Sequence, residues 1–267
     1  MLLNTILPFS MTASRIPEAL PDHQPAAGEL GGRVILITGA GDGIGRAVAL
    51  ACAAFGAGVI LLGRTVKKLE KVYDAITAAG GPQPAIYPMD LLGATAQHYE
   101  ELAENIGREF GRLDGLLHNA ASLGPLTSVQ NADPEDWARV FQVNVHAPFL
   151  LTRACLPLLG KSEDASVVFT AAAEGRQGKA YWGAYAASKA AAECLMEVLA
   201  DELESTSDIR VNSIDPGATR TRLRSVAYPA ENPGRLKAPA DITGPYLYLL
   251  GPESKYVSGI RYVISDA

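Results

Sequence analysis

Seven short apolar runs recur along the chain, each trailed by a stretch that reads as a helix, and no other feature narrows the fold as far. The runs are "RVILIT" (33–38), "GVILLG" (58–63), "PAIYPM" (84–89), "LDGLLH" (113–118), "ASVVFT" (165–170), "IRVNSI" (209–214) and "IRYVIS" (260–265). Their apolar residues are consecutive instead of alternating, which predicts strands buried on both faces, as in a parallel sheet. Helices are predicted near 43–56, 66–79, 94–110, 133–158, 181–205 and 239–250. Strands alternating with helices imply right-handed crossovers and a doubly wound α/β sheet of about seven strands with helices on both faces. No internal linker interrupts the pattern, so residues 31–267 are expected to form one domain.

Residues 1–30 differ in character and are expected to form a flexible N-terminal arm. "MLLNTILPF" is apolar but has no basic flank, is broken by Asn4 and Pro8, and is too short to span a bilayer, so neither a targeting signal nor a membrane segment is expected. Met11 offers an alternative start. A net charge of −6 argues against nucleic acid as a partner. Cys52, Cys155 and Cys194 sit in apolar helical contexts with no metal-ligand spacing, which predicts buried reduced thiols, no metal and a cytoplasmic protein.

In an open α/β sheet ligands bind beyond the carboxyl ends of the strands, and the candidate residues gather there. After the first strand, "ITGAGDGIGRAVAL" opens a helix with the spacing TGxxxGxG: Thr38, Gly39, Gly43 and Gly45, with Gly41, Asp42 and Ile44 between. Small residues let the backbone approach a pyrophosphate, and the helix N-terminus supplies free N–H groups. The second strand ends "LLGRT" where a chain preferring NAD carries an acid for the ribose 2′-hydroxyl. Arg64 and Thr65 favour a 2′-phosphate instead, hence NADP over NAD. Asp42 argues the other way unless it turns aside. Asp90 and Leu91 follow the third strand, suited to an adenine edge and face. Asn119, Ala120 and Ala121 follow the fourth, and Pro216, Gly217, Thr219 and Thr221 follow the sixth.

TGxxxGxG, Asn119-Ala120, Asn144, Tyr185-xxx-Lys189 and Pro216-Gly217, in that order, resemble the short-chain dehydrogenase/reductase family, over residues 30–265. "LLGRT", "LDGLLHNA", "GRQG" and "WGAYAASK" are similar to a bacterial subgroup of short-chain oxidoreductases. The resemblance implies a Rossmann-type fold and hydride transfer between a nicotinamide nucleotide and a carbonyl or alcohol. Tyr185 would be the acid or base; Lys189 would lower its pKa and bind the nicotinamide ribose; Asn144 would hold a water.

Where the family carries Ser or Thr thirteen residues before the tyrosine, "FTAAAEG" has Ala172. Losing a donor to a developing oxyanion costs about 10²–10³ in rate. Three readings stay open. Another group replaces the serine, with Ser122 preferred over Thr170 and over Glu174, whose charge is unhelpful near carbonyl chemistry. Or a substrate supplies its own polarising group. Or the chain is a disabled, NADP-binding dimer that senses or binds a protein.

Substrate choice is assigned to the segment after Pro216, whose Arg220, Arg222, Arg224 and Arg235 read as solvated side chains on a mobile loop, and to Arg176 and Gln177. The apolar helices at 133–158 and 181–205 suit the family's twofold pairing, which implies a homodimer or homotetramer.

Overall fold

The computed structural model describes residues 18–19, 23 and 25–264. Seven parallel strands form the sheet: β1 (Val34–Thr38), β2 (Gly58–Gly63), β3 (Ala85–Pro88), β4 (Gly115–His118), β5 (Ser166–Thr170), β6 (Arg210–Asp215) and β7 (Arg261–Val263). Their order is 3-2-1-4-5-6-7, and a two-residue strand, Glu18–Ala19, adds itself in parallel beside β7 with Glu18 opposite Tyr262. The chain reverses direction across the sheet between β1 and β4, where Leu36 lies between Ile60 and Leu116. That reversal opens a crevice at the carboxyl ends of the strands.

Period-2 alternation sorts each buried strand between two cores. Ile35 and Ile37, with Val59 and Leu61, pack against α1 (Gly43–Ala54), α2 (Val66–Ala78) and α9 (Thr243–Leu250). Leu36, Ile60 and Leu62 pack on the other face against α3 (Ala96–Phe110), α5 (Ala147–Leu159) and α7 (Gly183–Glu204). Both sets are almost wholly removed from water, which is why the runs read as continuously apolar.

The expected helix at 133–158 is corrected into three pieces. Asp133 caps α4 (Pro134–Phe141) by accepting from Glu135 N–H at 2.8 Å. A π-helical turn, Gln142–His146, follows and inserts one residue into the ladder before α5. Two short helices were not expected: α6 (Ala173–Arg176) and α8 (Arg222–Ala227). The strand ends also tighten, with β7 stopping at Val263.

Of the expected arm, Leu30 is fully buried, its N–H donating to the Phe55 carbonyl at 3.0 Å, and His23 Nε2 lies 2.9 Å from Glu29 Oε1. Residues 1–17, with Asn4, Pro8 and Met11, lie outside the described residues, as do 265–267. The cysteine expectation holds for Cys52 and Cys155, while Cys194 is exposed because it falls on the outer face of α7. Among the described residues no helix is long and apolar enough to cross a membrane.

Candidate active site

A cleft of about 1150 Å³ runs along the carboxyl ends of the strands, from the β1–α1 turn to α7. Thr38 braces its floor. The hydroxyl donates to the Leu117 carbonyl at 3.2 Å and accepts from the N–H groups of Asn119 and Ala120 at 2.9 and 3.1 Å. Thr38 is therefore buried beneath the cleft, holding β1 to the end of β4.

The glycine turn fits a phosphate group for steric reasons. Gly39 has φ +69, and a Cβ there would sit 3.1 Å from Ala120 Cα. A Cβ at Gly45 would meet the Gly39 carbonyl oxygen at 2.4 Å, so α1 can start this close to β1 only with glycine. Gly39, Gly41, Asp42, Gly43 and Ile44 line the cleft, and Gly45 lies buried behind them. The first turn of α1 thus borders the cleft, with Gly43 N–H donating to the Asp42 side chain.

Asp42 is neutralised in place. Its carboxylate accepts from Gly43 N–H at 2.8 Å and from Lys68 Nζ at 2.5 Å. The Lys68 hydrogen bond holds the Asp42 pKa below its ordinary value. Lys68 was missed in the sequence because it stands 26 residues from Asp42 and in the middle of a charged helix face. Arg64 and Thr65, at the end of β2, border the cleft with exposed side chains; Thr65 is the N-cap of α2 but makes no side-chain cap. Asp90 and Leu91 form the next stretch of wall, the Asp90 carboxylate accepting from Leu92 N–H at 3.2 Å.

At the other end Asn119, Ala120, Ala121 and Ser122 meet Tyr185 and Lys189. Asn144, in the π turn, does not line the cleft: its Oδ1 accepts from Ser122 N–H at 2.7 Å, and its Nδ2 donates to the Ser122 carbonyl and to Ser188 Oγ, each at 2.9 Å. Lys189 Nζ donates to the Thr170 carbonyl at 2.7 Å and lies 5.7 Å from the centre of the Tyr185 ring. Burial pulls Lys189 down to about 8, against Glu193 and Asp215, which favour its charge. Burial, reinforced by Glu174, Asp215 and Tyr228, pushes the Tyr185 phenol above its ordinary value. This direction is opposite to the expected one, because desolvation comes first and the nearby carboxylates add to it.

Ala172 lines the cleft, just before α6, and its carbonyl accepts from Gly175 N–H at 2.9 Å. Thr170 is no substitute for a hydroxyl here: its Oγ1 turns to Tyr246 OH, 3.4 Å away in the opposite core. Glu174 lines the same wall and accepts from Tyr228 OH at 3.2 Å. Arg176 is not free for a substrate, being bound to Asp215 and 3.7 Å from Glu193.

After β6, Pro216, Gly217 and Thr221 line the cleft, whereas Thr219 is buried and donates to the Pro216 carbonyl at 3.2 Å. Of the arginines in this segment, Arg220, Arg222 and Arg235 are exposed, as expected, whereas Arg224 is half-buried. Arg224 binds Glu231 through two contacts of 2.7 and 2.6 Å, and its guanidinium stacks 3.8 Å from the Tyr228 ring. The described residues contain no group of His, Cys, Asp and Glu arranged to hold a metal ion.

Comparison with known proteins is consistent with this geometry. The sequence profile of the family described as "short chain dehydrogenase" matches residues 33–232. The Escherichia coli K12 protein "Uncharacterized oxidoreductase YciK" is 49% identical over 240 residues, covering 90% of this chain and 94% of its own. A short chain dehydrogenase structure from Pseudomonas syringae superposes with a TM-score of 0.90 at 54% identity, over 92% of this chain and 99% of that one. Another, from Escherichia coli CFT073 and complexed with NADPH, gives a TM-score of 0.87 at 49% identity, over 90% and 99% of the two chains.

Proposed function

Since the chain belongs to the short-chain dehydrogenase family, we propose that it is an NADP-dependent oxidoreductase that moves a hydride between the nicotinamide and a small molecule. The observation that carries this reading is the single cleft that joins the glycine cradle and Arg64 to Tyr185 and Lys189. The NADPH complex of the Escherichia coli CFT073 relative supports the choice of nucleotide.

The residues fit that nucleotide. The turn from Gly39 to Gly45 would take the pyrophosphate on the N–H groups of α1. Arg64, Thr65 and Lys68 would surround the 2′-phosphate, Lys68 also cancelling the charge of Asp42. Asp90 and Leu91 would meet the adenine, and Asn119, Ala120 and Ala121 would leave room beside the riboses. Pro216, Gly217 and Thr221 would border the carboxamide, with Thr38, Gly45 and Thr219 shaping the floor from beneath. When bound, the nucleotide supplies or accepts the hydride.

Tyr185 would give or take a proton at its phenol oxygen, and Lys189, fixed by the Thr170 carbonyl, brings a cation to 5.7 Å from its ring centre. Asn144 orders the segment that carries Ser122. The Ala172 methyl leaves the substrate oxygen without the usual side-chain donor.

The test is NADPH oxidation against ketones, aldehydes and quinones, run beside Ala172→Ser. The expected result is that the parent binds NADPH and turns over, and that Ala172→Ser raises the rate on simple ketones by about 10²–10³. A parent that binds NADPH yet gives no turnover on any substrate class, while Ala172→Ser is active, would make the chain a nucleotide-binding module.

A further inference from the structure

Three features at the Tyr185 end of the cleft act in one electrostatic direction. Ala172 presents a methyl group to the wall, so no side-chain donor meets a growing negative charge there. Glu174, on the same wall, accepts one hydrogen bond from the neutral Tyr228 hydroxyl and takes part in no ion pair among the described residues. The Tyr185 phenol is held neutral, first by burial and then by the carboxylates of Glu174 and Asp215.

The cations nearby are already engaged. Arg176 is bound by Asp215, and Arg224 by Glu231. Lys179 Nζ donates to the Tyr228 hydroxyl at 2.8 Å, and Lys189 donates to the Thr170 carbonyl while facing Glu193 and Asp215. Glu174 is left with no ion pair among the described residues: its hydrogen bond comes from Tyr228, and Arg224, which feels its charge, is bound by Glu231. Each feature opposes a step that leaves negative charge on a substrate oxygen or on Tyr185. A step that turns a cation into a neutral product leaves no such charge, so it needs no donor at that wall, and a carboxylate there favours binding of its cationic substrate.

Reduction of a cationic carbon–nitrogen double bond is such a step. We propose that the substrate class is an iminium ion, and that Glu174 is the carboxylate that recognises its charge. The inference rests on the NADP-dependent reading above. Hydride from the reduced nicotinamide, the two-electron donor, forms a C–H bond at the iminium carbon. The C=N π pair becomes the nitrogen lone pair, leaving a neutral amine, and no proton is transferred in the step. Leu123, Leu223 and Ala172 give the same end of the cleft apolar walls, which suits a ring-bearing imine over a sugar or an acid.

The test pairs 2-methyl-3,4-dihydroisoquinolinium, a permanent cation, with 1-tetralone, a ketone on the same bicyclic skeleton. The expected result is a kcat/KM about tenfold or more higher for the iminium, a preference that Glu174→Gln removes and Glu174→Asp retains in part. A readout independent of turnover is calorimetric binding of the non-reducible 2,2-dimethyl-1,2,3,4-tetrahydroisoquinolinium against neutral 2-tetralol. The cation should bind more tightly to the parent and lose that advantage in Glu174→Gln, with NADPH affinity unchanged in both variants as proof of folding. Faster reduction of the ketone, or cation binding indifferent to Glu174→Gln, would overturn the inference and leave the dehydrogenase reading standing. A parent that fails to bind NADPH overturns that reading and the inference with it, and the NADPH titration separates the two failures.

Discussion

Asn144 grips the backbone of Ser122 at both ends, taking its N–H at 2.7 Å and giving a hydrogen to its carbonyl at 2.9 Å. The π turn makes this possible: it rotates Asn144 inward, between α7 and the segment after β4, where Ser188 Oγ takes its second hydrogen.

Asn144→Ala should therefore strip partners from Ser122 N–H and the Ser122 carbonyl, while Ser188 Oγ keeps its bond to the Tyr185 carbonyl. Leaving buried polar groups unpaired costs about 1–3 kcal/mol each, so a drop of at least that size is expected in a urea titration. An unchanged midpoint would mean that water takes over these bonds without loss.

His118 lies at the end of β4, its Nε2 2.8 Å from Thr152 Oγ1 and its ring against Phe169. Burial lowers its pKa from 6.5 to about 3. The unfolded chain thus binds a proton between these values that the folded chain refuses. Stability from this residue is complete above about pH 6.5 and is lost as pH falls towards 3, with a slope of up to about 1.4 kcal/mol per pH unit. His118→Gln should flatten that part of the stability profile.

Lys189 should titrate near pH 8, and Glu193 and Asp215 act to keep it charged. Removing one carboxylate by Asp215→Asn should move the titration down by about one pH unit, read from the Cε resonance of isotope-labelled lysine. A midpoint that stays put would show that Arg176 already cancels Asp215.

How far this was legible in the sequence follows from which forces are local. Strands buried on both faces left continuous apolar runs, and the glycine spacing recorded a steric demand, Gly45 against Gly39, within one turn of chain. Helix pieces fared less well, since a π turn adds a residue without changing composition. The pairings that decide charge at the site were hidden for a different reason: Arg176 meets Asp215 across 39 residues and Tyr228 meets Glu174 across 54. Thr219 looked like its neighbour Thr221 in sequence and turned out to face the interior. Raised acidity at Tyr185 was expected from one lysine, whereas the structure adds burial and two carboxylates.

Arg64 is exposed at the end of β2, with Lys68 committed to Asp42. Arg64→Asp should weaken NADPH and relieve the discrimination against NADH, shifting the affinity ratio by about 10–100-fold, the worth of one charge-assisted contact. A ratio that does not move would transfer the 2′-phosphate to Lys68.

The central claim is met most directly by titrating the parent protein with NADPH and with NADH and following nicotinamide fluorescence. The account predicts saturable binding of both with NADPH the tighter. Binding of neither nucleotide would contradict it.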